Sequence, residues 1–435
     1  MDANSTATAF GGAAVRVGVL GYGNVGAAVV ALIAEHGDTI AARTGLRLEV
    51  TRVAVRDRAK RRSGFSHFTH DAASVVHDPE VDLVVEVIGG LHPAKELVLA
   101  ALEAGKPVVT ANKELMAACG AELFDSAAKA GVDLLFEAAV AGAIPLIRPL
   151  RESLAGDRIL RVLGIVNGTT NFILTRMTES GQSFDEALRE AQDLGYAERD
   201  PTADVEGHDA AAKASIIASL AFGVRVVAGD MYREGITGVS VDDIRMAGRL
   251  GYVVKLLAVV DALGGEVAVR VHPAMVPVAH PLASVRESFN AVFVEGAAAG
   301  ELMFYGRGAG GRPTASAALG DVIDAAANLR HGTSAGVPGL ATARIRPMEE
   351  VRSQYYLSLD VADRPGVLEQ VAAAFARHLV SIVQVLQVGM GEEARLVLVT
   401  HTAIERDMQA TVADLRELDS VDRVGTLLRV IGAEA

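Results

Sequence analysis

Asp209 and Lys213 lie four residues apart at the head of a stretch, Ala214–Gly223, that is uncharged and mostly apolar. In a helix this spacing places a carboxylate and an ammonium on one face, which by itself is also the pattern of an ordinary ion pair. At the head of a buried helix such charges need a partner or a task. A lysine so placed can supply positive charge and a proton. A second lysine, Lys113, follows Val109-Thr110-Ala111-Asn112 at the end of a predicted strand. In a parallel α/β sheet the strand C-termini face the ligand crevice.

A third group of residues is suited to binding phosphate. Gly21-Tyr22-Gly23-Asn24-Val25-Gly26 follows the apolar run Val15–Leu20 and opens a helical pattern. The first glycine makes the tight turn, the second lets a pyrophosphate approach the backbone, and the third lets helix and strand pack closely. The helix N-terminus then faces the phosphates. Gly21, Gly23, Asn24, Val25 and Gly26 are therefore candidate dinucleotide-binding residues. Beyond the second strand, where an acidic residue would hold a ribose 2′-hydroxyl, the chain has Arg56, then Asp57, and Lys60 four residues after Arg56. Arg56 and Lys60 suit the 2′-phosphate of NADP, while Asp57 is close enough to serve NAD.

These groups need a scaffold, and the chain supplies one. Strand-like runs Val15–Leu20, Leu48–Val55, Leu83–Ile88, Val108–Thr110 and Val132–Phe136 alternate with helical patterns Asn24–His36 and Ala94–Ala104. That alternation predicts an α/β fold, a Rossmann-type doubly wound parallel sheet. It occupies residues 1–148, and the chain returns to it at about 306–345. Residues 149–305 read as an α+β domain, with strands Ile159–Asn167 and Ile236–Val241 and helices Phe184–Asp193 and Asp209–Ala221. Residues 353–435 follow a β-α-β-β-α-β order, a ferredoxin-like unit, after a linker over His331–Pro347.

Composition narrows the function classes. The net charge is −13, no tryptophan is present, and the one basic run, Lys60-Arg61-Arg62, is short, which argues against nucleic acid and anionic membranes as partners. No charge-free apolar run reaches about 18 residues, so no membrane span is expected. Cys119 is the only cysteine, and Met1–Ala14 lacks a basic start, so a reducing, cytoplasmic setting is expected.

The chain resembles the monofunctional homoserine dehydrogenases over nearly its full length. The matching segments are Gly21–Gly26, Val109–Lys113, Glu137–Pro145, Asn167-Gly168-Thr169-Thr170-Asn171, Gly195–Lys213 and Gly306–Thr314, in that order. The resemblance implies reversible NAD(P)H-dependent reduction of L-aspartate 4-semialdehyde to L-homoserine, in threonine, methionine and isoleucine biosynthesis. By resemblance, Lys213 donates the proton, Lys113 is the second active-site lysine, and Asp209 orients the reacting end of the substrate. Glu198, with Asp204, binds the substrate ammonium. Thr110, Lys113, Gly308 and Gly310 meet the nicotinamide half of the cofactor. Glu137, Val140, Gly142 and Ile144 resemble a loop that binds a monovalent cation, with sodium as the implied ion. The resemblance also gives residues 149–305 a catalytic and dimerisation role in a homodimer or homotetramer.

Asp363-Arg364-Pro365-Gly366 resembles the start of an ACT regulatory domain, which implies L-threonine as effector. Where many ACT domains carry a glycine, this chain has His378-Leu379-Val380. With all the assigned chemistry before the linker, a chain ending near Pro347 is expected to keep catalysis and lose feedback. Two rival readings compete. An acyl-thioester-forming aldehyde dehydrogenase would need Cys119 as nucleophile, yet no histidine lies near it in sequence to activate it. A non-catalytic NADP- or amino-acid-sensing protein would not need Lys113, Asp209 and Lys213.

Overall fold

Short β-branched runs that alternate with helices bury both faces of a sheet, and the N-terminal half folds accordingly. The computed structural model describes residues 14–57, 63–227, 229, 231–336, 339–342, 344–391 and 394–432. The chain forms two units, Met1–Ser153 with Arg307–Ala341, and Leu154–Gly306 with Thr342–Ala435.

In the first unit the strands are β1 (Val15–Leu20), β2 (Leu48–Ala54), β3 (Phe68–Thr69), β4 (Leu83–Glu86), β5 (Val108–Thr110) and β6 (Leu134–Leu135). The helices are α1 (Asn24–Thr44), α2 (Ala72–His77), α3 (Ala94–Glu103) and α4 (Lys113–Ala130). Among the described residues the sheet order is β3-β2-β1-β4-β5-β6, every pairing parallel. The order reverses between β1 and β4, so the carboxyl end of β1 is the switch point where ligands bind. Helix α1 runs eight residues beyond its expected end at His36. Its length and hydropathy would also let it cross a bilayer. Here its apolar face, Val29, Val30, Leu32, Ile33 and Ile40, lies in the core with Val17 and Val19 of β1.

The second unit begins with β7 (Ile159–Ile165), α5 (Gly168–Ser180), α6 (Phe184–Asp193), α7 (Thr202–Val205), α8 (His208–Phe222), β8 (Tyr232–Arg233) and α9 (Val241–Arg249). Then come β9 (Tyr252–Leu263), β10 (Glu266–Pro277), β11 (Phe289–Gly296) and β12 (Gly300–Arg307). Helix α10 (Gly311–His331) returns to the first unit, where Ala315, Ala318, Val322, Ala325 and Ala326 enter the core beside α1. The strand expected at Ile236–Val241 is instead a turn leading into α9. Ser240 and Asp243 form a capping box there, and a capped helix start competes with strand.

The C-terminal segment continues with β13 (Arg352–Val361), α11 (Val367–Arg377), β14 (Ile382–Val388), β15 (Arg395–Thr400), β16 (Ala403–Ile404), α12 (Glu405–Arg416) and β17 (Val421–Val430). Leaving aside the two-residue β16, this is the expected β-α-β-β-α-β order, with its own core around Tyr355, Leu357, Val371, Phe375, Leu398 and Leu415. The segment does not form a separate sheet. β17 pairs in parallel with β10, Arg429 opposite Ala274 and Val430 opposite Met275. Among the described residues one sheet therefore runs β12-β11-β7-β9-β10-β17-β13-β15-β14. This seam bears on the expectation that a chain ending near Pro347 keeps catalysis and loses feedback, because the cut would strip β10 of a paired neighbour.

Candidate active site

The glycine loop shows three distinct constraints. Gly21 has φ +107°, and a Cβ on it would stand 2.7 Å from the Val87 carbonyl oxygen. A Cβ on Gly26 would stand 2.2 Å from the Gly21 carbonyl oxygen, so only glycine lets α1 begin this close to the turn. A Cβ on Gly23, the N-cap of α1, would meet nothing within 4 Å. Gly23 and Asn24 are exposed, and the backbone there is open to a ligand. The start of α10 lies alongside, with Gly311 so placed that its Cβ would sit 3.0 Å from the Asn24 carbonyl oxygen. Two helix N-termini thus converge on one loop, and both favour negative charge. These residues fit a dinucleotide's pyrophosphate. Arg56 and Asp57 are both exposed just past β2, and Lys60 lies outside the described residues.

Thr110 is completely buried, and its hydroxyl is committed. It donates to Glu86 Oε2 at 2.6 Å and accepts from the Asn112 N–H at 3.0 Å. Its expected contact with the cofactor would therefore come from its backbone. Glu86, buried at the end of β4, also accepts from the N–H groups of Ile88 and Gly89 and so shapes the loop after that strand. The apolar run around Glu86 gave it no distinguishing pattern in sequence. Asn112 caps α4 by accepting from the Leu115 N–H, which makes Lys113 the first residue of that helix.

The Glu137 carboxylate, expected as the charged ligand of a cation loop, is occupied. It accepts the peptide N–H groups of Leu146 at 2.5 Å, Ile147 at 2.7 Å and Arg148 at 2.8 Å, closing the start of the following helical turn. The Glu137 N–H in turn donates to Asp321 at 2.7 Å. Among the described residues no backbone hydrogen bond reaches the carbonyls of Val140, Gly142 and Ile144, all three in buried residues. Carbonyl oxygens of this kind suit a hard monovalent cation, and the Glu137 carboxylate holds the residues that follow them. Gly142 has φ +58° and no room for a Cβ, which would come within 2.4 Å of the Gly308 backbone.

In the second unit Asp209 and Lys213 sit on one face of α8, and both are largely buried. Lys213 Nζ donates to Asp209 Oδ2 and to the Val166 carbonyl, each at 2.7 Å. Asn167 ties this pair to Asp204: its Nδ2 donates to Asp204 Oδ1 at 2.7 Å and to Asp209 Oδ2 at 2.9 Å. Asn167 Oδ1 caps α5 by accepting from the Thr170 N–H at 2.9 Å. The sequence reading placed Asn167 in a matched segment and gave it no role. Glu198 lies on an exposed loop whose backbone is held by Gln192 and, through the Tyr196 carbonyl, by Thr169. Among the described residues the Glu198 carboxylate makes no hydrogen bond to the cluster. A further lysine, Lys255, is buried in β9, and its Nζ donates to Asn171 Oδ1 at 3.0 Å and to the Val285 carbonyl at 2.5 Å. Burial pushes its ammonium down to about 8.

In the C-terminal segment Leu379 has φ +58° and is 91% exposed. The bulky residue in the position where a glycine was expected thus adopts the left-handed backbone that glycine favours, and it faces solvent. Cys119 lies on α4 and is half-buried.

Known proteins of one family match nearly the whole chain. Family models match for the homoserine dehydrogenase NAD-binding domain (residues 21–137), for homoserine dehydrogenase (145–323) and for the ACT domain (355–420). The homoserine dehydrogenase of Corynebacterium glutamicum is 51% identical over 427 residues, 96% of either chain. That of Mycobacterium tuberculosis H37Rv is 49% identical over 431 residues, 96% of this chain and 98% of the relative. The crystal structure of a Thiobacillus denitrificans homoserine dehydrogenase superposes with a TM-score of 0.92 at 42% identity, covering 96% of this chain and 98% of the other. A hyperthermophilic archaeal homoserine dehydrogenase in complex with NADPH superposes with a TM-score of 0.63 at 29% identity, covering 76% of this chain and 100% of the other.

Proposed function

The chain belongs to the homoserine dehydrogenase family of NAD(P)-dependent oxidoreductases, and from that premise we propose how its residues divide the interconversion of L-aspartate 4-semialdehyde and L-homoserine. The nicotinamide, when bound, supplies the hydride that reduces the aldehyde carbon. The loop Gly21–Gly26 and the start of α10 hold the pyrophosphate. Thr110, by its backbone, Gly308 and Gly310 border the nicotinamide half, and Lys113 reaches it from the N-terminus of α4. Arg56, with Lys60, reads the 2′-phosphate, which makes NADP the preferred carrier. The exposed guanidinium at the end of β2 and the NADPH bound by the archaeal relative support that preference.

The arrangement around Lys213 carries the proposal. Two of the three ammonium protons are taken by Asp209 and the Val166 carbonyl. The third is left for the aldehyde oxygen, so a proton is delivered from a fixed direction as negative charge develops. Asp209 is in turn held by Asn167, so the donor is oriented before substrate arrives. Asp204 and the exposed Glu198 supply carboxylates for the substrate ammonium. The carbonyls of Val140, Gly142 and Ile144, on the loop closed by Glu137, hold sodium and stiffen that loop. L-threonine acts through the C-terminal segment, the working form is a homodimer or homotetramer, and the enzyme operates in the cytoplasm, where its single free thiol suits a reducing medium.

The deciding assay follows NADPH oxidation with L-aspartate 4-semialdehyde and NADP reduction with L-homoserine. Lys213→Ala is expected to lower kcat by about a thousandfold while leaving NADPH affinity and thermal midpoint near wild type. A folded Lys213→Ala enzyme with near-normal turnover would refute the assignment.

A further inference from the structure

Arg429, on the last strand of the C-terminal segment, is 1% exposed and is the largest fully buried side chain among the described residues. Its guanidinium reaches in two directions. Nε and Nη2 donate to the Glu405 carboxylate at 3.0 and 2.6 Å, within its own segment. Nη1 donates to Glu234 Oε2 at 2.6 Å, Nη2 to the Tyr232 hydroxyl at 3.3 Å, and the guanidinium lies 5.0 Å from the centre of the Tyr232 ring. Tyr232 closes the circuit by donating to Glu234 at 2.8 Å. Both partners belong to the middle of the chain, at β8 and the residue after it.

The other side of that short segment backs the catalytic turn. The Glu234 N–H donates to the Val271 carbonyl of β10 at 2.8 Å, fixing the strand from which the next residues leave. Gly235 is pressed onto the turn: a Cβ on it would stand 2.2 Å from the Val205 carbonyl oxygen and 2.6 Å from the Glu206 Cα. The Ile236 N–H donates to that same Val205 carbonyl at 2.8 Å, and the Thr237 hydroxyl donates to Glu206 at 3.1 Å. The Arg233 stem and Val271 lie against Gly207, the left-handed N-cap of α8, where a Cβ would come within 3.2 and 3.3 Å of them. Residues 204–209 run from Asp204 through this turn to Asp209.

We propose that Arg429 is a positioning residue for the reaction, holding the segment Tyr232–Thr237 against Val205–Gly207 and so fixing Asp204 and Asp209 where the amino-acid substrate binds. The inference rests on the assignment of Asp204, Asp209 and Lys213 to substrate and proton transfer. It makes the C-terminal segment part of the catalytic apparatus, because its buried guanidinium neutralises two carboxylates that belong to different segments. Close-packed contacts through glycine positions transmit displacement, since a gap or an overlap there has no flexible side chain to absorb it.

The test uses the full-length enzyme and three variants. Glu234→Gln keeps the shape and removes the charge, Tyr232→Phe removes one hydroxyl, and Gly235→Ala leaves the ion cluster intact and drives a methyl group into the turn. In each, KM for L-homoserine is expected to rise and kcat to fall, by about tenfold for Gly235→Ala and Glu234→Gln and less for Tyr232→Phe, while the dissociation constant of NADPH stays within twofold of wild type. Simple loss of folded enzyme would lower apparent kcat at constant KM, so the split separates positioning from stability. Should Glu234→Gln unfold, Tyr232→Phe still decides for Arg429, and Gly235→Ala tests the contact through which it acts. Folded variants with unchanged KM for L-homoserine would overturn the proposal. An inactive wild type would instead refute the functional assignment and leave the ratios undefined.

Discussion

At Arg56 the sequence offered two cofactors, and the exposed guanidinium beyond β2 turns that choice into a measurement. Arg56→Ala is expected to weaken NADP binding by roughly tenfold or more and to leave NAD binding near wild type, since a charge-assisted bond to a 2′-phosphate has no counterpart in NAD. Equal losses for both carriers, read from dissociation constants, would move the discrimination elsewhere. Lys255 carries a different signal. Its ammonium lies at about 8, below the ordinary 10.5, because burial disfavours the charge. Below the lower value both folded and unfolded chains hold the proton and the penalty is in full force. Between the two values only the unfolded chain binds it, so stability rises with pH by up to about 1.4 kcal/mol per unit. Urea unfolding between pH 7.5 and 9.5 should show that rise relative to Lys255→Met, and parallel curves would remove it. Chemistry-bearing residues were legible where a motif surrounded them, as with Asp209 and Lys213. Asn167 stood in a matched segment without a role and Lys255 was not singled out, because an amide and a lysine acquire such partners only across the fold.

Among the elements, the glycine loop predicts two opposite outcomes from the same substitution. Gly23→Ala puts a methyl group into open space, so the fold is undisturbed and the effect falls on the cofactor, with a rise of about tenfold in its dissociation constant. Gly26→Ala drives a methyl group into the Gly21 carbonyl, so α1 must shift and the thermal midpoint falls by several degrees. A Gly23→Ala enzyme with unchanged cofactor affinity would deny the loop its role. This unit was readable because parallel strands and helices alternate with different periods. Of the middle sheet only β7 was read. β9 and β10 are joined by Gly264-Gly265, both in left-handed backbone with φ +64° and +83°, which is the signature of a tight hairpin. Their strands lack a clean alternation of apolar and polar residues: β10 is buried along almost its whole length, and such a strand reads as an uninterrupted apolar run. At Ile236–Val241 the opposite error arose, apolar residues being taken for strand where Gly235, Gly238 and the Ser240 cap impose a turn.

For the whole molecule, the C-terminal order of elements was read, but its pairing with the middle sheet was not, because a two-residue parallel pairing and one buried arginine leave no local trace in sequence. Removing everything after Pro347 uncovers β10 and leaves Glu234 without its guanidinium. The truncated chain is expected to lose most of its catalytic activity and to aggregate at concentrations where the full chain stays in solution. Light scattering and NADPH oxidation on the two forms check this, and a soluble, fully active truncation would show that the seam is dispensable.

The Arg429 cluster also governs how this enzyme can be recombined with its relatives. A chimera that takes its last eighty residues from a homologue inherits a new guanidinium position and a new partner for it, while Tyr232 and Glu234 stay behind on the recipient. Those two residues belong to the donor's inheritance as much as Glu405 and Arg429 do, although nearly two hundred positions of chain separate Glu234 from Arg429. Crossover points placed in the linker, the natural choice from sequence, divide the cluster. Exchanges that carry Tyr232–Glu234 along with the tail keep it whole.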